Sequence, residues 1–321
     1  MLGMFTTQQE TTILPHPKEL ESSLESLLCR ESQILLDANM FYPIRTYPAH
    51  EDLLTYMSNR PHLKDIDIEF VDHSRQYLFF LMDLFFSKRT LAVTDFVVEE
   101  VKGGGKHFAK MLHNHHEIIR RRDLTPTRRE TLDLRLDILN DYGNTLQMLI
   151  ARLSHHRYHP PLSVAPFTAM LQLLFDFHFL SPKDTFLYSR GPRIERPLPL
   201  GLNLAADISL VAAAMATSLS PKHSGSFAIL SSDRDISRLA LCGYELLTHA
   251  RAGEAGRYAA EQLRKNPICV YKQPFSPEEK PLVRKFNSAV LDPSHLSSRD
   301  YSAFLDHIPY QEFLAPLSVS A

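Results

Sequence analysis

Two short apolar runs that stop abruptly at a carboxylate-bearing turn constrain this chain more than any other feature. The first is Ile34-Leu35-Leu36, followed by Asp37-Ala38-Asn39. The second is Ala228-Ile229-Leu230, followed by Ser231-Ser232-Asp233-Arg234-Asp235. Uninterrupted apolar runs this short suit strands buried on both faces, and such strands belong to parallel sheets connected by helices. Open parallel sheets bind ligands outside the carboxyl ends of their strands. Asp37 and Asp233 are each expected at such an end. Two further acids stand in helix-like contexts, Glu100 in Phe96-Val97-Val98-Glu99-Glu100-Val101 and Asp207 in Ala205-Ala206-Asp207-Ile208-Ser209.

The rest of the chain supports an α/β reading. With 321 residues, 44% of them apolar and 22% charged, it can bury a substantial core. Residues 1–29 are expected to form a polar tail or a short leading helix. A strand over Gln33–Leu36, a helix over Val71–Phe86 and a strand over Leu91–Val93 follow. Thr94 is placed to cap a helix with Asp95 in its first turn, and Gly103-Gly104-Gly105 is expected to end that helix.

Residues 106–202 read as a helical insertion. A long helix starts near Thr127, carries Leu132, Leu136, Leu139, Leu146, Leu149, Ile150 and Leu153 at helical spacing, bends at Gly143 and stops by Pro160-Pro161. Val164–Leu180 reads as a second apolar helix and Ser181–Leu202 as a loop. Regular α/β order then returns, with helices over Leu204–Leu219, Ile236–Leu247 and Arg251–Lys265 and strands over Phe227–Ser231 and Ile268–Tyr271. Residues 30–105 and 203–275 thus form one α/β domain. Residues 276–321 are a C-terminal helical extension whose first helix opens on Ser276-Pro277-Glu278-Glu279.

Composition removes several classes. Cys29, Cys242 and Cys269 are isolated and odd in number, which argues against a disulfide framework or a zinc ribbon and fits a reducing cytoplasm. Residues 1–21 lack the basic-then-apolar pattern of a secretory signal. No stretch approaches the roughly 20 apolar residues of a membrane span. Neither GxGxxG nor GxxxxGK[ST] occurs, so dinucleotide and P-loop chemistry are not expected. The histidines at 113, 115, 116, 155, 156 and 159 have loose spacing and no nearby cysteine, which disfavours zinc.

The acids carry the chemistry. Carboxylates gathered from scattered segments repel one another unless a hard cation sits between them. A charge inside the Ala-rich segment around Asp207 is costly without a partner. Asp37 and Asp233 read equally well as turn or cap residues, and Asp235 as a cap of the next helix. Glu99 and Glu100 lie about 100° apart on one helix, so one faces the sheet edge while the other is solvated. The clustered cations include Lys102, Lys106, Lys110, Arg120, Arg121, Arg122, Arg128 and Arg129, with Arg190, Arg193 and Arg196 ahead of Asp207. They suit a phosphate backbone or a solvated surface, although the net charge of -2 announces no nucleic acid.

The ordered set resembles the PIN-domain nuclease family. The resemblance rests on the strand ending in Asp37-Ala38-Asn39, the acid-aliphatic pair Glu100-Val101, the helix-borne Asp207 with Ala212–Ala214 behind it, and Ser231-Ser232-Asp233-Arg234-Asp235. It covers residues 32–105 and 203–250. Residues 106–202 depart from it, since minimal members have a far shorter connection. The resemblance implies a three-layer α/β/α sandwich around a parallel sheet and a cytoplasmic metal-dependent endoribonuclease. Asp37, Glu100, Asp207 and Asp233 would hold one or two Mg2+ or Mn2+ ions, with Asn39, Ser231 and Asp235 in support. Water would be the attacking group. Lys102, Lys106, Arg190 and Arg193 are the expected RNA contacts, and a homodimer or a protein inhibitor the expected partner. The competing expectation is a catalytically silent module that binds RNA or protein through its helical insertion.

Overall fold

The structure is a computed structural model that describes residues 17–29, 31–41, 65–87, 90–121, 125–177, 179–180, 201–231, 234–271 and 296–312. The expected helix over Ser276–Leu291 lies outside them, as do Asp233, Arg190 and Arg193.

Four parallel strands form one sheet: β1 (Gln33–Leu36), β2 (Leu91–Ala92), β3 (Phe227–Leu230) and β4 (Ile268–Tyr271), in the order β2-β1-β3-β4. Ile34, Leu35 and Leu36 are fully buried, and so is every residue of β3. Successive strand residues face opposite sides, so burial of consecutive residues means that both faces are covered. This matches the reading of the apolar runs as strands of a covered parallel sheet.

The helices are α1 (Pro17–Leu28), α2 (Asp65–Ser87), α3 (Asp95–Arg121), α4 (Pro126–Leu153), α5 (Ala165–Asp176), α6 (Gly201–Ser218), α7 (Arg234–Leu247), α8 (Gly253–Lys265) and α9 (Ser298–Asp306). α1 packs on α2 and sends Leu24 and Leu27 into the core. Burying a leucine fully contributes roughly 1.5–3 kcal/mol, so residues 17–28 are a docked helix rather than a loose tail. α6 is deeply buried over most of its described length. Every residue from Leu210 to Ser218 is covered, and its alanines at 212, 213, 214 and 216 let its neighbours come close.

The expected stop at Gly103-Gly104-Gly105 is corrected. α3 runs through all three glycines to Arg121. A β-carbon at Gly105 would lie 2.6 Å from Ile150 Cδ1 and 3.0 Å from Gln147 Nε2 of α4, whereas one at Gly103 would meet nothing within 4 Å. The triplet therefore lies inside a helix, and Gly105 marks where α4 crosses α3 closely. Packing against the neighbouring helix outweighs the low helix propensity of glycine, about 1 kcal/mol per residue.

Within the segment expected to be an insertion, the described helix α4 joins the main core. α4 packs along both α2 and α3, and its Leu136, Leu139, Leu146, Leu149, Ile150 and Leu153 join the same apolar cluster as the strands. α4 also ends at Leu153, before Pro160-Pro161. The chain turns back there, and the Val93 N–H donates to His156 O at 3.1 Å while the Tyr158 N–H donates to Val93 O at 2.8 Å. This bridge extends the hydrogen bonding just beyond β2.

Candidate functional site

The register of the two central strands builds the site. Leu36 pairs with Leu230, so the residues that follow, Asp37 and Ser231, emerge side by side at the carboxyl end of the sheet. The ladder continues past the strands, with the Asp37 N–H donating to Leu230 O at 3.1 Å and the Ser231 N–H donating to Tyr271 O at 3.0 Å. The chain leaves β1 toward β2 on one side and returns at β3 on the other. Asp37 therefore sits at the topological switch point, the usual ligand position in such sheets.

Asp37 is only 4% exposed. Three donors from described residues converge on its carboxylate: Ala38 N–H on Oδ1 at 2.6 Å, and Asn39 Nδ2 and Ser231 Oγ on Oδ2 at 2.6 and 2.5 Å. Asn39 Nδ2 also lies 3.1 Å from Ser231 Oγ. Hydrogen bonds of this kind offset the cost of burying a carboxylate and fix its orientation. The short 3-10 turn Ala38–Phe41 holds the arrangement from behind, with Ala38, Met40 and Phe41 buried. The sequence placed Asp37, Asn39 and Ser231 in one site, and the structure brings these three together.

Glu100 rides on α3. That helix buries Val97, Val98, Val101, Phe108 and Leu112, and Glu100 flanks this stripe, half-buried. Glu99 is on the outer face and pairs with Lys102 at 2.7 Å. The hydrogen bond from Lys102, aided by the nearby charges of Lys102, Arg157 and Lys106, holds the Glu99 carboxyl below the ordinary glutamate range. Of the two glutamates, Glu99 is the more exposed. Lys102 is engaged by Glu99, while Lys106 stands exposed.

Asp207 is half-buried and is the sole ionisable residue of α6. α6 packs against α3, and α3 also packs against the 3-10 turn that follows Asp37. α3, which carries Glu100, is therefore the shared neighbour of the segments carrying Asp37 and Asp207. Asp235 lies in the first turn of α7. Among the described residues, no three His, Cys, Asp or Glu side chains stand close enough together to share an ion.

One pair escaped sequence reasoning. Thr94 Oγ1 and Ser209 Oγ lie 2.6 Å apart, linking the start of α3 to α6 two residues beyond Asp207. Its signal in the sequence is a serine two residues after Asp207 in an alanine-rich helix. Thr94 does cap α3 as expected, accepting the Val97 N–H at 3.4 Å. Compared with protein-family models, with curated proteins and with solved structures, the chain shows no match in any of the three.

Proposed function

We propose that this chain is a divalent-metal-dependent endoribonuclease with a PIN-like three-layer architecture. The observation that carries this reading is Asp37, a buried carboxylate oriented by three donors at the switch point of a parallel sheet. Asp37, Glu100, Asp207 and Asp233 are the acids proposed for Mg2+ or Mn2+, although the three described ones do not by themselves form a group that could hold an ion. The groups joined around Asp37 are carboxylate, hydroxyl and carboxamide, oxygen-rich donors of the kind a hard cation takes. When bound, the ion would activate water and offset charge on the scissile phosphate.

The chain's own groups do the rest. Ser231, Asn39 and the Ala38 N–H fix the direction of the Asp37 carboxylate. Lys102 is paired with Glu99 at 2.7 Å. Lys106, which is exposed, offers a cation to an RNA phosphate.

One observation favours a second reading. The same three donors already satisfy Asp37 internally, so this carboxylate also serves as a structural tie between β1 and β3. A silent module that binds RNA or protein through residues 106–202 would need no more. Cleavage of single-stranded RNA in Mn2+, with and without EDTA, separates the two. Asp207→Asn and Asp233→Asn are expected to lower the rate about a hundredfold or more, with binding of RNA retained. RNA binding without EDTA-sensitive cleavage would establish the silent reading.

A further inference from the structure

We infer that the outer face shared by α2 and α4 is the interface through which two copies of this chain pair about a twofold axis. The inference stands apart from the cleavage reading, since none of its residues belongs to the acidic set. The two helices run side by side with the same polarity. Arg75 Nη1 lies 3.7 Å from Asp141 Oδ2, and Arg152 sits 4.1 Å from the centre of the Phe86 ring. Both contacts join residues 66 positions apart, so the helices keep one register over the roughly three turns between them.

Three large apolar side chains stand on the water side of this seam. Phe79 is 41% exposed, Met148 47% and Phe86 61%. Phe79 and Phe86 are two turns apart and so share one stripe of α2. Met148 is one turn before Arg152, and therefore on the same stripe of α4 as the residue that covers Phe86. Singly scattered apolar residues are ordinary on a surface, but these flank one groove. Together they leave on the order of 300 Å² of apolar side chain in water, about a third of the roughly 800 Å² that each partner buries in a standard interface.

The charges decide the occupant. An interface between identical copies must be complementary to itself. With α2 antiparallel to the α2 of a second copy and Phe79 at the axis, Asp83 faces Arg75 of that copy. Asp83 is exposed and makes no ion pair among the described residues. The same operation brings the Phe86–Arg152 end of the seam over the opposite end of the second copy, where Asp72, Asp137 and Asp141 stand. Arg75 is shared there between Asp72 and Asp141, which leaves the exposed Asp137 for Arg152. A ligand of one sign would suit one end of the seam and be repelled at the other, whereas an inverted second copy suits both.

The test is sedimentation velocity of the full chain at micromolar concentration, each variant first checked for folding by circular dichroism. Wild type is expected to be a dimer. Phe86→Glu and Met148→Glu, at positions open to water in the single chain, are each expected to weaken association about tenfold or more. Asp83→Arg sets two cations opposite each other and is expected to weaken it about tenfold at low salt and less at high salt. Glu254→Gln, on α8, is expected to leave the dimer intact. A wild type that stays monomeric overturns the inference and gives the seam to another protein or to a further segment of this chain. A dimer that persists unchanged in Phe86→Glu and Met148→Glu overturns the choice of surface. A dimer insensitive to Asp83→Arg at low salt overturns the antiparallel arrangement, and this variant carries the decision if the two glutamate variants do not fold.

Discussion

Three donors meeting one carboxylate make Asp37 the residue whose neighbourhood is easiest to test. Ser231 is fully buried, and its hydroxyl donates to Asp37 Oδ2. Removing a hydrogen bond to a charged buried group costs about 1.5–3 kcal/mol. Ser231→Ala is therefore expected to lower unfolding free energy by about that amount, measured in urea. Asn39→Ala should cost less, since Asn39 is half-buried and water can replace its amide. A Ser231→Ala variant as stable as wild type would contradict the described network. The residues of this network were legible in the sequence because they follow apolar runs at strand ends. The split between Glu99 and Glu100 was legible too, from the 100° step of a helix. The Thr94–Ser209 bond was not, because its partners are 115 residues apart and only packing of α6 on α3 brings them together.

Among the elements, the strands were the most legible and α3 the least. Four apolar residues between turn-formers identify a buried strand with little ambiguity, as β3 and β4 show. The glycine triplet invited a helix stop because local propensity was the sole guide. The approach of α4 to α3 is a tertiary fact. Opposite outcomes are expected at two of its positions. Gly103→Ala adds helix propensity into open space and should stabilise by about 0.5–1 kcal/mol. Gly105→Leu must displace Ile150 and Gln147 and should destabilise by about 1–3 kcal/mol. Thermal unfolding of the two variants reads both signs. Equal effects would mean that α3 and α4 do not cross there. The same contacts explain why Pro126–Leu153 shares the core: the leucine spacing foretold the long helix, but not which neighbours would cover it.

For the whole molecule, three histidines set a pH response. His156, His223 and His249 are each held below the ordinary histidine range, chiefly by burial, and His156 packs its ring 5.2 Å from that of Phe85. The unfolded chain takes up these protons near pH 6.5, whereas the folded chain resists them. Their contribution to stability is therefore complete above about pH 6.5 and declines as pH falls through the lower folded values. Urea midpoints are expected to drop between about pH 7.5 and pH 5.5, and His156→Phe should flatten part of that slope. A midpoint unchanged across the interval would contradict the burial of these rings. Glu99 and Glu261, held low by Lys102 and Lys265, respond only below the ordinary carboxylate range and do not enter this window.

At the same scale lies the claim that the carboxyl end of the sheet is a metal-dependent RNA-cleaving centre. The most direct measurement is the rate of Mn2+-dependent cleavage of a single-stranded RNA by wild type and by Asp37→Asn, both verified as folded. EDTA-sensitive cleavage by wild type, and a loss of about a hundredfold or more in Asp37→Asn, is the expected result. Equal rates for the two folded proteins, or no cleavage by wild type, would contradict it.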